Sequence, residues 1–101
     1  MPGPERRSDR GVYSISVAAE LTGIEPHTLR AYERSGLLTP ARSDGGVRRY
    51  SDDDLVRLQR ISELAAAGLN FAGIRHVLDL EDENSQLRAD YDRLRDAGRE
   101  G

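Results

Sequence analysis

Gly23 and Pro26 stand three residues apart between two short runs of helical character, and this punctuation restricts the fold more than any other feature. Ser16 can cap a first helix whose apolar positions are Val17, Ala18 and Leu21, with Gly23 supplying the left-handed stop. Pro26 fits the first turn of a second helix, where its missing N–H is of no consequence, and Gly36 ends that run. Two short helices joined by roughly three or four residues containing Gly have the outline of a helix-turn-helix.

The chain then changes character. Ala41-Arg42-Ser43 and Val47-Arg48-Arg49-Tyr50 flank Asp44-Gly45-Gly46, a tight-turn sequence, which predicts a short two-stranded hairpin or wing. Ser51-Asp52-Asp53-Asp54 caps a third helix and sets three carboxylates at its positive end. Leu55, Leu58, Ile61 and Leu64 run along it, and Gly68 stops it. Asn70 caps a fourth helix, with Leu69 and Ile74 placed as a hydrophobic staple and Phe71, Ile74, Val77 and Leu78 as its apolar face. From Val77 a heptad emerges: Val77, Asn84 and Tyr91 alternate with Leu80, Leu87 and Leu94 at a and d spacing. Whether the fourth helix runs on unbroken into this heptad is left open by the sequence.

The expected fold is therefore mainly α, a winged helix-turn-helix with a short β-hairpin wing and a C-terminal dimerisation helix. Residues 1–12 read as a disordered arm, 13–80 as the winged domain, 81–96 as a coiled-coil dimerisation helix and 97–101 as a frayed tail. Dimerisation through Val77, Leu80, Asn84, Leu87, Tyr91 and Leu94 has a second motive. The 101 residues are 37% hydrophobic and 33% charged, so the core is small and a second copy would extend it. The opposing reading folds Leu80, Leu87 and Leu94 back onto their own domain.

Net charge misleads until it is partitioned. The chain carries −3 overall, but residues 1–77 hold eleven Arg against ten acids and residues 78–101 hold four against eight. Residues 26–50 hold five Arg and two acids. All fifteen basic residues are Arg, whose forked guanidinium grips phosphate and guanine in a way that ammonium does not. The absence of Cys removes disulfides, thiolate metal sites and redox switches. No stretch approaches the roughly 18 apolar residues of a membrane span, and no apolar run follows the N-terminal charges as in a signal peptide. A cytoplasmic, nucleoid-associated protein is expected.

Enzyme templates fail. His27 and His76 lie in different segments with no metal-ligand spacing, and neither GxSxG nor a phosphate loop occurs. Asp52-Asp53-Asp54 reads as a helix cap rather than a metal cluster. No cofactor or metal is expected. The richer constellation is Pro26-His27-Thr28-Leu29-Arg30-Ala31-Tyr32-Glu33-Arg34. His27, Arg30 and Arg34 share a helix face, while Leu29, and Tyr32 in part, turn inward with Leu21, Ile24 and Leu37. In the second helix of a helix-turn-helix the outer face meets base edges in the major groove. Arg42, Arg48 and Arg49 on the wing can grip phosphates beside it, and Tyr50 offers a hydroxyl. The alternatives are a merely solvated face, an architectural or excisionase-like DNA-binding protein, and an adaptor or anti-regulator acting through the acidic C-terminal helix.

Ordered over residues 13–80, the motifs Ile15-Ser16-Val17-Ala18-Ala19, Thr28-Leu29-Arg30-Ala31-Tyr32-Glu33, Gly36-Leu37-Leu38, Pro40-Ala41-Arg42 and Val47-Arg48-Arg49-Tyr50-Ser51 closely resemble the MerR family of winged helix-turn-helix regulators. The combination of Ser16-Val17-Ala18-Ala19-Glu20-Leu21, Gly45-Gly46 and Gly68-Leu69-Asn70-Phe71-Ala72-Gly73-Ile74 looks most like its heat-shock repressor subgroup, HspR. The resemblance implies a homodimer held by an antiparallel coiled coil, bound to an inverted repeat in promoter DNA and acting as a repressor. It matches Arg30, Tyr32 and Glu33 to the family's R-Y-Y-E recognition-helix motif and Arg42, Arg48 and Tyr50 to wing positions that contact the backbone. With the residues read above, His27, Thr28, Arg30, Tyr32 and Arg34 are expected at or near the bases and Arg42, Arg48, Arg49 and Tyr50 on phosphates. Ala31 departs from the family's common Tyr, as that subgroup also tends to. Metal-sensing and redox-sensing members carry Cys after the fourth helix, and this chain has none. A chaperone co-repressor, implied for the subgroup, is disfavoured by the shortness of the C-terminal segment.

Overall fold

The structure is a computed structural model and describes residues 10–100. The chain forms α1 (Ile15–Thr22), α2 (Pro26–Arg34), β1 (Ala41–Arg42), β2 (Arg48–Arg49), α3 (Asp52–Ala66) and α4 (Phe71–Glu100). This is the mainly helical, winged architecture expected from the punctuation. Most of the arm expected at 1–12 lies outside the described residues. Its last residue, Val12, is tied down: the N–H groups of Val12 and Tyr13 both donate to the Tyr50 carbonyl, at 3.0 and 2.9 Å.

The first helix starts earlier than its sequence suggests. Ser14, not Ser16, is the cap, its hydroxyl accepting from the Val17 N–H at 3.3 Å. The buried stripe shifts accordingly: Ala18 is fully buried, Ile15 and Ala19 pack beside it, and Val17 and Leu21 face outward. A helix of eight residues can present only a narrow i, i+3, i+4 face to its neighbours, here α2 and α3. Leu21 is therefore a surface residue, contrary to the expectation that it packs with Ile24 and Leu37. Gly23 closes α1 in the left-handed conformation at φ 75°, its N–H donating to Ala19 O.

The other caps follow the sequence. At α3, the Ser51 hydroxyl accepts from the Asp54 N–H at 3.0 Å and the Asp54 carboxylate accepts from the Ser51 N–H at 2.9 Å, a reciprocal capping box. At α4, the Asn70 side-chain oxygen accepts from the Gly73 N–H at 2.8 Å. Leu29, Leu37, Tyr50, Leu58, Ile61 and Ile74 form the fully buried centre, drawn from every helix except α1, which contributes Ala18.

The helix left open by the sequence is a single uninterrupted one of 30 residues. Its first two turns dock Ile74 and Leu78 into the core. Beyond them it projects, and it stays helical through the stretch expected to fray. Leu80, Leu87, Tyr91 and Leu94 are all more than half exposed along it. The projection accounts for a radius of gyration of 16.5 Å, against about 13 Å for a compact domain of 100 residues. Arg60 of α3 ties down the base of the projecting segment, donating to both carboxylate oxygens of Glu81 at 2.8–3.1 Å. Those bonds hold the Glu81 carboxyl below the ordinary range of its kind.

Candidate nucleic-acid interface

Amphipathic patterning fixes which way α2 presents its side chains. Leu29 is fully buried and Tyr32 nearly so, which turns His27, Arg30 and Arg34 to the opposite, solvent-facing side. Arg30 and Arg34 make no ion pair among the described residues. His27 lies 3.2 Å from the Glu25 carboxylate, both side chains being largely exposed. Thr28 is half-buried. The outer face of α2 is thus a short cationic ridge whose two guanidinium groups are available to a ligand.

The C-terminal end of α2 is held by its neighbours. Gly36 takes the left-handed conformation at φ 82°, and a Cβ there would stand 2.6 Å from the Arg75 guanidinium. Arg75 of α4 donates to the Ser35 carbonyl and Arg57 of α3 to the Leu37 carbonyl, the latter at 2.7 Å. Two cations at a helix C-terminus complement its partial negative charge. Tyr32 meets Phe71, the first residue of α4, edge to face with ring centres 5.8 Å apart. These contacts set the angle at which the cationic ridge stands relative to α4. Sequence reasoning missed Arg57, Phe71 and Arg75 in this role, because it depends on pairings across 20 to 40 residues.

The wing is an antiparallel pair in the register Ala41 to Arg49 and Arg42 to Arg48. Its turn closes with Ser43 N–H to Val47 O and Gly46 N–H to Ser43 O, both 2.8 Å. That register sets two arginines directly opposite each other, an unfavourable placement for like charges. Glu33 resolves it. One of its carboxylate oxygens accepts from Arg42 at 2.5 Å and the other from Arg48. Glu33 retains only 16% side-chain exposure, against 45% for Arg42 and 30% for Arg48. The carboxylate of α2 therefore clamps both strands of the wing. A signal existed in the sequence: Glu33 follows Leu29 by four residues, on the inward side of α2, where an acid needs a cationic partner. Arg49, half-buried, makes no ion pair among the described residues.

Two expected contacts need correction. Tyr50 is fully buried and its hydroxyl, enclosed and without a hydrogen-bond partner, does not face a phosphate. Burial, and then the charge of Glu33, push that hydroxyl above its ordinary pKa. Tyr32 likewise belongs to the core and to the contact with Phe71, and its ring is not on the α2 surface. Aromatic rings at these two positions bury more apolar surface than a hydroxyl contact could replace. The other residues form two adjoining cationic surfaces: His27, Arg30 and Arg34 on α2, and Arg42, Arg48 and Arg49 on the wing. Val77, Leu80, Asn84, Leu87, Tyr91 and Leu94 lie apart from these surfaces, along α4; Val77 is half-buried and the others are exposed.

Among the described residues no group of three His, Asp or Glu is placed to hold a metal, and no helix is long and apolar enough to cross a membrane.

With this geometry in view, comparison with known proteins is specific. Residues 13–81 match the profile of the MerR HTH family of regulatory proteins. The chain is 44% identical over 86 residues to the heat shock protein HspR of Streptomyces coelicolor, covering 84% of this chain and 57% of that protein. This chain thus spans little more than half the length of that relative. Among solved structures, PbrR691 of Ralstonia metallidurans in complex with lead(II) superposes with a TM-score of 0.67 at 30% identity, over 88% of this chain and 82% of the other. HiNmlR, a MerR-family regulator lacking the sensor domain and bound to promoter DNA, gives 0.61 at 26% identity, over 82% and 75%.

Proposed function

Because the chain belongs to the MerR family of helix-turn-helix regulators, we propose that it binds specific duplex DNA as a homodimer and represses transcription, in a stress-response role like that suggested by its resemblance to HspR. The observation that carries this reading is the exposed ridge of His27, Arg30 and Arg34, free of acidic partners on the two arginines, directly beside a wing bearing three more. In this reading α2 enters the major groove, with Arg30 and Arg34 reaching base edges and Thr28 and His27 near them. Arg42, Arg48 and Arg49 hold flanking phosphates and fix the register. The exposed stripe of α4 over residues 81–96 pairs two copies, so that the site is an inverted repeat in a promoter. Such a protein works at the nucleoid, in the cytoplasm.

Arg30→Ala is expected to cost about 1–3 kcal/mol of affinity for a selected operator and to blunt discrimination at one base position. The check is a gel-shift titration against operator fragments captured from genomic DNA by the unaltered protein. Unchanged affinity and unchanged discrimination would remove Arg30 from the interface.

A further inference from the structure

The carboxylate of Glu33 lies between the guanidinium groups of Arg42 and Arg48 and accepts from both. We propose that Glu33 is an internal stand-in for phosphate: it masks the wing in the free protein and so suppresses binding to duplex of arbitrary sequence. The inference rests on the DNA-binding reading above and adds to it a residue that limits how strongly the wing holds the backbone.

Three observations converge. Arg42 and Arg48 are cross-strand neighbours, so an anion lying against both relieves their repulsion. Glu33 meets that need with one oxygen per guanidinium, in the two-pronged manner in which phosphate is bound. The carboxylate is mostly enclosed and is carried by α2 itself, on the flank between its buried stripe and Arg30. The two cationic surfaces consequently differ in availability. On α2 both guanidinium groups are unpaired, whereas on the wing three arginines stand against the carboxylates of Glu33 and Asp44, which leaves a net charge of one. Non-specific affinity comes almost entirely from neutralised phosphates and the counterions they release. Base contacts do not depend on Glu33. Subtracting one cation per protomer from the backbone term therefore lowers affinity for duplex of arbitrary sequence and leaves the base contacts of α2 a larger share of the binding at a specific site.

The test is fluorescence anisotropy of a labelled mixed-sequence duplex titrated with the full chain across a series of salt concentrations. Glu33→Gln should bind this duplex more tightly than the unaltered protein, by about threefold per protomer at the low end of the series, with a log–log salt slope steeper by about 0.9 per protomer. Glu33→Asp keeps the charge and should stay near the unaltered protein. The double variant Glu33→Gln/Arg42→Gln restores the net charge and should return the slope to its starting value. A carboxylate that merely braced the wing would give the reverse result, with Glu33→Gln binding more weakly and its slope unchanged or shallower; that outcome overturns the proposal. So does a Glu33→Gln protein that circular dichroism finds unfolded while the double variant folds and keeps an altered slope. If the unaltered protein binds no duplex even at the lowest salt, the DNA-binding reading itself falls, and this inference with it.

Discussion

Tyr50 sits where sequence and structure part most instructively. Its neighbours Val47, Arg48 and Arg49 lie on a solvent-facing hairpin, which suggests an exposed hydroxyl, yet its ring closes the core beneath the wing. An enclosed hydroxyl without a partner carries a desolvation cost of about 1–3 kcal/mol. Tyr50→Phe should thus leave the protein as stable or raise stability by up to about 1 kcal/mol, read as an unchanged or higher Tm. Because the folded state raises the hydroxyl above its ordinary value of 10.0, the unfolded chain loses this proton first as pH rises. Stability therefore falls with pH above about 10, and Tyr50→Phe should attenuate that fall. A Tm well below that of the unaltered protein at neutral pH would contradict the assignment of this hydroxyl as unsatisfied.

At the scale of elements, local signals were legible and signals set by packing were not. Gly23, the Ser51 and Asp54 box, Asn70 and the turn at Gly46 each act within four residues, so their chemistry is written in adjacent letters. The start of α1 was misplaced by two residues because both Ser14 and Ser16 can cap, and only the docking of Ala18 against α2 and α3 chooses between them. The bonds of Glu33 to the wing were not legible because its partners lie 9 and 15 residues away, on strands whose pairing had to be known first. The continuity of α4 was undecidable for a different reason: no residue from Phe71 onward forbids it, and none requires it. The α3 box offers the cleanest check at this scale. Ser51→Ala removes one partner of a reciprocal pair at the head of the helix that carries Leu58, Ile61 and Leu64. It should cost about 0.5–2 kcal/mol, seen as a lower urea midpoint with an unchanged m-value. A changed m-value would mean that the end of α3 frays even in the native state.

For the whole molecule, the distribution of charge and apolar surface separates two tasks. The cationic ridge and wing lie on the winged domain, and the projecting part of α4 is acidic, with four Arg against eight acids over residues 78–101. If the exposed stripe pairs two copies, Leu87→Glu should convert a dimer to a monomer in sedimentation velocity while leaving the winged domain folded, since Leu87 is 61% exposed and outside the core. A monomeric unaltered protein would refute the pairing. The unbroken helix has a further consequence, for phase. Its first turns grip the end of α2 through Phe71 and Arg75, and no kink intervenes before Leu94. Each residue inserted after Leu78 would therefore turn the proposed pairing face by about 100° about the axis of α4, relative to the ridge proposed to meet DNA. One inserted alanine should abolish operator binding without unfolding the chain, and an insertion of seven should bring the face back to within about 20° and restore pairing, but with about 10 Å added per protomer it should favour a more widely spaced operator. On the proposed reading the molecule is geared, and its operator spacing becomes a tooth count fixed by the number of residues between the reading helix and the pairing stripe.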